Sequence, residues 1–217
     1  MQDYATLRRV MVDTQVRPSD VTKFPIIQAM LTVPREAFLP NDKAEVAYAS
    51  EHVALTPDRT VLAPRTFAKM LEALNVTSDM LVLDIGCGYG YSAAVLAHIA
   101  EAVVAVEDLE EVTPEIAQLL SDHHADNVVL HQGPLTEGAA EHGPYDAIMV
   151  EGGIEELPEG LEAQLKEGGR IVCLFVEGRL GTVRVGHKID GHLNWRYSFN
   201  ASAPVLPGFA TERAFAL

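Results

Sequence analysis

Cysteine is nearly missing from this 217-residue chain, which contains only Cys87 and Cys173. A disulfide scaffold needs more, and both thiols lie in or beside apolar stretches, so two reduced, buried side chains are expected. Positive charge is also scarce: 16 Lys and Arg face 31 Asp and Glu, a formal charge of −15. That field repels a phosphate backbone, and Arg8-Arg9 is the only adjacent basic pair, which sets nucleic acid aside as a partner. No apolar run approaches the roughly 18 residues of a membrane span. The opening residues lack the apolar centre of a secretory signal, so a soluble, cytoplasmic protein is expected. Metal-binding spacings such as His-x-x-x-His and Cys-x-x-Cys do not occur; His123-His124 reads as a solvated helix end, and no metal is expected. A Gly-x-Ser-x-Gly elbow, internal repeats and low-complexity tracts are missing as well.

What remains is an ordinary globular composition, 48% apolar and 22% charged, enough for one full core. Residues 1–63 read as a helical and loop arm, and residues 64–217 as a cofactor-binding α/β core of the same single domain. In the arm, Leu7, Val10, Met11 and Thr14 fall at helical spacing, and a second helix is expected over Thr22–Leu31 with Pro25 in its first turn. A short turn or helix follows within Val33–Pro40, then an irregular segment down to Pro64. Phe67, Met70, Leu71 and Leu74 mark the next helix. Strand-like and helical runs then alternate: Leu81–Ile85, Tyr91–Ile99, Ala102–Val106, a helix capped by Thr113, Asn127–His131, Ala147–Val150, Leu157–Leu165 and Gly169–Phe175. Gly181–Lys188 and Leu193–Phe199 flank an Asp190-Gly191 turn and read as a hairpin. The pattern predicts a doubly wound, mainly parallel sheet with antiparallel strands at one edge.

The segment from Asp84 through Ile85, Gly86, Cys87, Gly88 and Tyr89 to Gly90 closes the first of these core strands, where such sheets bind ligands. A dinucleotide fingerprint would place its third glycine at position 91, which is Tyr91, and no Lys-Ser or Lys-Thr makes a phosphate loop. The G-x-G-x-G spacing resembles motif I of the S-adenosylmethionine-dependent methyltransferases. Glu107 ends the second strand, where a carboxylate can accept hydrogen bonds from both hydroxyls of a ribose.

Longer segments resemble the protein-L-isoaspartate O-methyltransferases over roughly residues 8–176. They are Arg9–Val16, Ala29–Phe38 with its Val-Pro-Arg-Glu, Ala47-Tyr48, the helix of Gly90–Ala97, Pro144–Val150, and Leu157 through Gly169. The resemblance implies a seven-stranded Rossmann-like methyltransferase fold and S-adenosylmethionine as cofactor. It implies methyl transfer to the carboxylate of isoaspartyl residues in protein or peptide substrates, a repair reaction. By the same resemblance Asp84, Gly86, Cys87, Gly88, Tyr91, Glu107, Gly133, Pro134 and Leu135 would bind the cofactor, and Val61, Leu62 and Ala63 would border the acceptor.

Three positions depart from the family pattern. The family's Thr-Ile-Ser-x-Pro hydroxyl is Leu62 in Thr60-Val61-Leu62-Ala63-Pro64, and its Gly-Asp-Gly is Gly133-Pro134-Leu135. Glu151 stands where small or neutral residues are usual; it reads as a solvated strand end or helix cap, or else as a base or hydrogen-bonding group for a neutral or cationic acceptor. Arg65 reads as exposed, or as reaching a carboxylate. Two further readings follow from these departures: a methyltransferase of this fold with another acceptor, and a cofactor-binding protein without catalysis.

Overall fold

The structure, a computed structural model, describes residues 2–109 and 113–211. Its main sheet has seven strands: β3 (Leu81–Ile85), β4 (Ala102–Glu107), β5 (Val128–Gln132), β6 (Tyr145–Ile154), β7 (Leu165–Glu177), β8 (Leu180–Ile189) and β9 (His192–Asn200). They lie in the order β5-β4-β3-β6-β7-β8-β9, parallel through β7 and antiparallel at β8 and β9. The chain steps outward from β3 to β4 and later returns to the other side of β3 as β6. This switch in strand order opens the crevice in which sheets of this type bind ligands.

Alternation along the strands divides the core. Val82, Val103, Ala105, Met149 and Leu174 join one buried cluster, while Leu83, Ile85, Val104, Val106 and Val150 join another, as the two-residue period of a strand dictates. The first face is covered by α1 (Tyr4–Met11), α2 (Phe24–Thr32), α3 (Pro64–Leu74), α4 (Tyr91–Ala97) and α5 (Thr113–Asp122). Among the described residues the second has one α-helix, the short α6 (Glu159–Ala163), and Leu135, Leu206 and Phe209 pack into its cluster. The predicted Leu157–Leu165 helix is therefore shorter than expected. The hydroxyl cap expected at Thr113 falls outside the described side chains.

Local chemistry explains several boundaries. Pro25 and Pro64 sit in the first turns of α2 and α3, where a missing N–H is harmless. Asn75 ends α3 in the left-handed conformation at φ 59°, its N–H returning to the Leu71 carbonyl at 3.1 Å. The segment expected to be irregular contains a small hairpin, β1 (Val53–Ala54) with β2 (Thr60–Val61), too short to leave a periodic signal. Strand β6 also runs past its expected end. A Cβ at Gly153 would meet the Ala203 carbonyl at 2.8 Å, so glycine lets residues 203–206 pass close by and extend the ladder. Among the described residues no helix is long and apolar enough to cross a membrane.

Candidate cofactor and acceptor site

Gly86, Gly88 and Gly90 take φ of +80°, +57° and +93°, a turn that side-chain-bearing residues resist. The Gly86 N–H donates to Val106 O at 2.9 Å, and the Gly90 N–H to Cys87 O at 2.9 Å. These bonds fold the loop back over the ends of β3 and β4. Asp84, fully buried at the end of β3, accepts from Ser92 Oγ at 2.6 Å through Oδ2, while its Oδ1 has no partner. Burial pushes the Asp84 carboxyl up to about 7, with Ser92 opposing and the Glu107 charge adding to the rise.

Glu107 is 1% exposed, and both its oxygens are engaged. Oε2 accepts the Gly88 N–H at 2.7 Å, and Oε1 accepts the Asp108 N–H at 3.0 Å and Arg59 Nε at 3.3 Å. The Arg59 guanidinium, itself 2% exposed, also holds Asp108 Oδ1 through Nη2 at 2.5 Å. Burial raises the Glu107 carboxyl, and Arg59 is the chief force against that rise. The acid expected to receive a ribose thus has an internal partner.

Beneath the loop lies a cavity of about 10 Å³, barely a water's worth, lined in part by Arg35, Leu62, Cys87, Tyr91 and Glu151. Its mostly apolar lining carries a few buried polar groups. Arg35 is 1% exposed and anchored by Nε to Ala47 O and by Nη2 to Leu62 O, each at 2.7 Å. Its Cζ lies 4.9 Å from the centre of the Tyr91 ring. Arg35 Nη1, Tyr91 Oη and Glu151 Oε1 are buried without partners. Burial and the charge of Asp84 raise the Glu151 carboxyl well above the ordinary range, against the pull of Arg35. This corrects the first expectation for Glu151: it lies within β6 at 5% exposure, neither a solvated strand end nor a cap.

The remaining predicted positions separate into two groups. Gly133 and Pro134 border an open groove of about 390 Å³ with Asp108 and Gln132, just outside the Glu107 end of β4. Leu135 turns inward, 2% exposed, with a methyl 3.5 Å from where a Gly86 Cβ would stand. Val61 and Leu62 line the enclosed cavity, and Leu62, at 1% exposure, belongs to the apolar core. The backbone at Ala63 does not offer its donor to an acceptor, because its N–H goes to His52 Nδ1 at 2.8 Å; His52 Nε2 in turn meets Ser202 O at 2.7 Å. Both cysteines are free and buried, as expected. Arg65 is exposed, its guanidinium 6.0 Å from the Phe199 ring.

Four contributors carry no readable signal in the sequence: Arg35 lies within the Val-Pro-Arg-Glu segment, and His52, Leu55 and Arg59 lie in the segment expected to be irregular. His123 is only half exposed, packed 5.2 Å from the Phe38 ring, which corrects the solvated reading for that histidine. Outside the site, His131, Glu141 and His142 bring ligand atoms within 4.8 Å of one another at the surface, a grouping no sequence spacing foretold.

The acceptor set fits S-adenosylmethionine: an orphaned buried carboxylate oxygen beside a glycine turn, and a second acid at the next strand end. The volume does not yet accommodate it, since ligand pockets run to roughly 300 Å³ or more. Leu55 accounts for part of this, its Cδ1 lying 2.6 Å from where a Gly88 Cβ would be.

Comparison with known proteins agrees with this geometry. The family described as protein-L-isoaspartate(D-aspartate) O-methyltransferase matches residues 9–199. A protein-L-isoaspartate O-methyltransferase 2 of Pelobacter propionicus is 39% identical over 165 residues, 76% of this chain and 73% of that one. One from Rhodopseudomonas palustris is 40% identical over 162 residues, 75% and 74% of the two chains. A solved protein-L-isoaspartate O-methyltransferase superposes with a TM-score of 0.78 at 27% identity, covering 94% of this chain and 65% of that longer one. A Plasmodium falciparum structure in complex with S-adenosyl-L-homocysteine gives a TM-score of 0.78 at 20% identity, covering 95% and 99%, and shows the shared fold. This chain belongs to the protein-L-isoaspartate(D-aspartate) O-methyltransferase family.

Proposed function

We propose that the chain uses S-adenosylmethionine to methylate the carboxylate of isoaspartyl residues in proteins or peptides, a repair reaction of the cytoplasm that involves neither nucleic acid nor membrane. The observation that carries this reading is the intact glycine turn, with Asp84 and Glu107 at adjacent strand ends, in a chain of this family. Glu107 would receive the ribose hydroxyls, Gly86 and Gly88 would let the backbone approach the methionine part, and the unpartnered oxygen of Asp84 would face its ammonium. The groove beside Gly133 and Pro134 would take the adenine. When bound, the cofactor supplies an activated methyl group on its sulfonium. A carboxylate is already nucleophilic, so the protein's work is to desolvate, hold and align it.

Other groups lining the same cavity would stand in for the hydroxyl absent at Leu62. Arg35 Nη1 and Tyr91 Oη are unpartnered donors, and burial shifts the Glu151 carboxyl toward its neutral form, in which it would donate as well. Arg35 and Tyr91 suit a carboxylate, and the upward shift of Glu151 lessens its repulsion of one. Tyr91→Phe tests the assignment: KM for an isoaspartyl peptide should rise severalfold while the fold is retained, and an unchanged KM would take Tyr91 out of the acceptor site. Glu151 also supports a second reading, a same-fold enzyme whose acceptor is neutral or cationic. That reading requires methyl transfer to such an acceptor and none to an isoaspartyl peptide.

A further inference from the structure

The hairpin formed by β1 and β2 sends side chains to Glu107 and Gly88, the positions assigned above to the ribose and the methionine part. Its turn is built for the purpose of rigidity: the Leu55 and Thr56 N–H groups both donate to Arg59 O, at 2.8 and 3.2 Å, and Thr56 Oγ1 donates to Asp58 Oδ1 at 2.7 Å. From that turn two side chains enter the site. Arg59 reaches Glu107 and Asp108, and Leu55 covers Gly88 closely enough that a Cβ there would collide with it. The guanidinium and the ribose hydroxyls are all donors aimed at one carboxylate: Oε1 already accepts the Asp108 N–H and Arg59 Nε, and Oε2 the Gly88 N–H, so only about one of its roughly four acceptor sites is left for two hydroxyls while Arg59 stays. The enclosed cavity that remains is about 10 Å³.

We propose that Arg59, with Leu55, sets the cofactor affinity of this chain: the guanidinium is a built-in competitor for the ribose acid, and the 55–59 turn must lift for the cofactor to enter. This inference rests on the assignment of Glu107 as the ribose acid. Binding then exchanges a buried ion pair for hydroxyl hydrogen bonds, so the wild-type protein binds more weakly than its glycine turn alone would permit. Removing the arginine has two consequences of opposite sign. The empty protein loses a partner for a buried carboxylate and melts earlier, whereas the liganded protein loses nothing it uses.

Calorimetric titration with S-adenosylhomocysteine, alongside thermal melts with and without that ligand, tests this on the full chain. Arg59→Ala is expected to bind at least tenfold more tightly than wild type, to melt lower when empty, and to gain more on ligand addition. Leu55→Ala, which leaves the ion pair intact, is expected to tighten binding in the same direction and keeps the test open if Arg59→Ala does not fold. Wild-type binding with unchanged or weaker affinity in both variants would overturn the gate and leave the cofactor site standing. Failure of wild type and both variants to bind at millimolar ligand would overturn the gate and the cofactor assignment together.

Discussion

Replacing Glu107 by alanine probes the centre of the site without reference to any substrate. The side chain is 1% exposed, its partner Arg59 is 2% exposed, and the carboxylate also satisfies the N–H groups of Gly88 and Asp108. Truncation takes from the buried Arg59 guanidinium one of its two carboxylate partners, leaving it Asp108, and strands two backbone donors. Breaking a buried pair from one side costs about 3–5 kcal/mol, a large share of the roughly 5–15 kcal/mol that holds a domain folded. For a chain of this size each kcal/mol moves the melting point by about 2–4 °C, so the expected fall is on the order of 6–20 °C. Circular dichroism melts measure it. The double variant with Arg59→Ala should lose clearly less than the sum of the two single variants, because it leaves neither charge stranded. Added salt should change the wild-type melting point little through this pair, since buried charges are poorly screened. A folded Glu107→Ala protein melting within about 2 °C of wild type would refute the claim that this pair stabilises the site; that threshold corresponds to roughly 1 kcal/mol or less.

Three other predictions follow from the same groups. Asp84 is raised from 3.8 to about 7, so the folded state keeps a proton that the unfolded chain releases; its contribution is full below the ordinary carboxylate range and is lost as pH rises through about 7. By linkage this amounts to roughly 4 kcal/mol across that window, and Asp84→Asn should flatten the pH dependence seen in urea unfolding; an unaltered slope would reject Asp84 as its source. Leu62→Ser should lower stability by about 2–4 kcal/mol, because it opens a cavity in the core, yet raise isoaspartyl transfer if the missing hydroxyl limits the rate; a stable variant with no gain would shift the limitation to Pro134 or Glu151. Calorimetry on Glu107→Ala should also show S-adenosylhomocysteine binding weakened by one to two orders of magnitude, on the order of 1.5–3 kcal/mol for charged hydrogen bonds, and undiminished affinity would mean the ribose lies elsewhere.

The sheet was readable because its central strands β3, β4 and β6 carry nearly continuous apolar runs, separated by glycine, proline and helical spacing. Leu81–Ile85 matches its predicted bounds, and the other predicted strands differ at their ends, most where glycines admit a neighbouring chain, as at Gly153. Asp84, the glycines and Glu107 were readable because the turn and the strand end fix them in sequence. Arg59 was not. Its importance comes from a hairpin of two-residue strands that carries it 48 positions along the chain to Glu107. Burial of Glu151 was hidden for a similar reason: Arg35, Leu62, Phe67 and Tyr91, brought from distant segments, line the cavity with it, and no local pattern records that meeting.

The central claim is tested most directly by following a labelled methyl group from S-adenosylmethionine to an isoaspartyl peptide, with the matched aspartyl peptide as control. The account predicts label in the isoaspartyl peptide alone, in a base-labile ester. No label in either peptide, from a folded protein that binds S-adenosylhomocysteine, would contradict it.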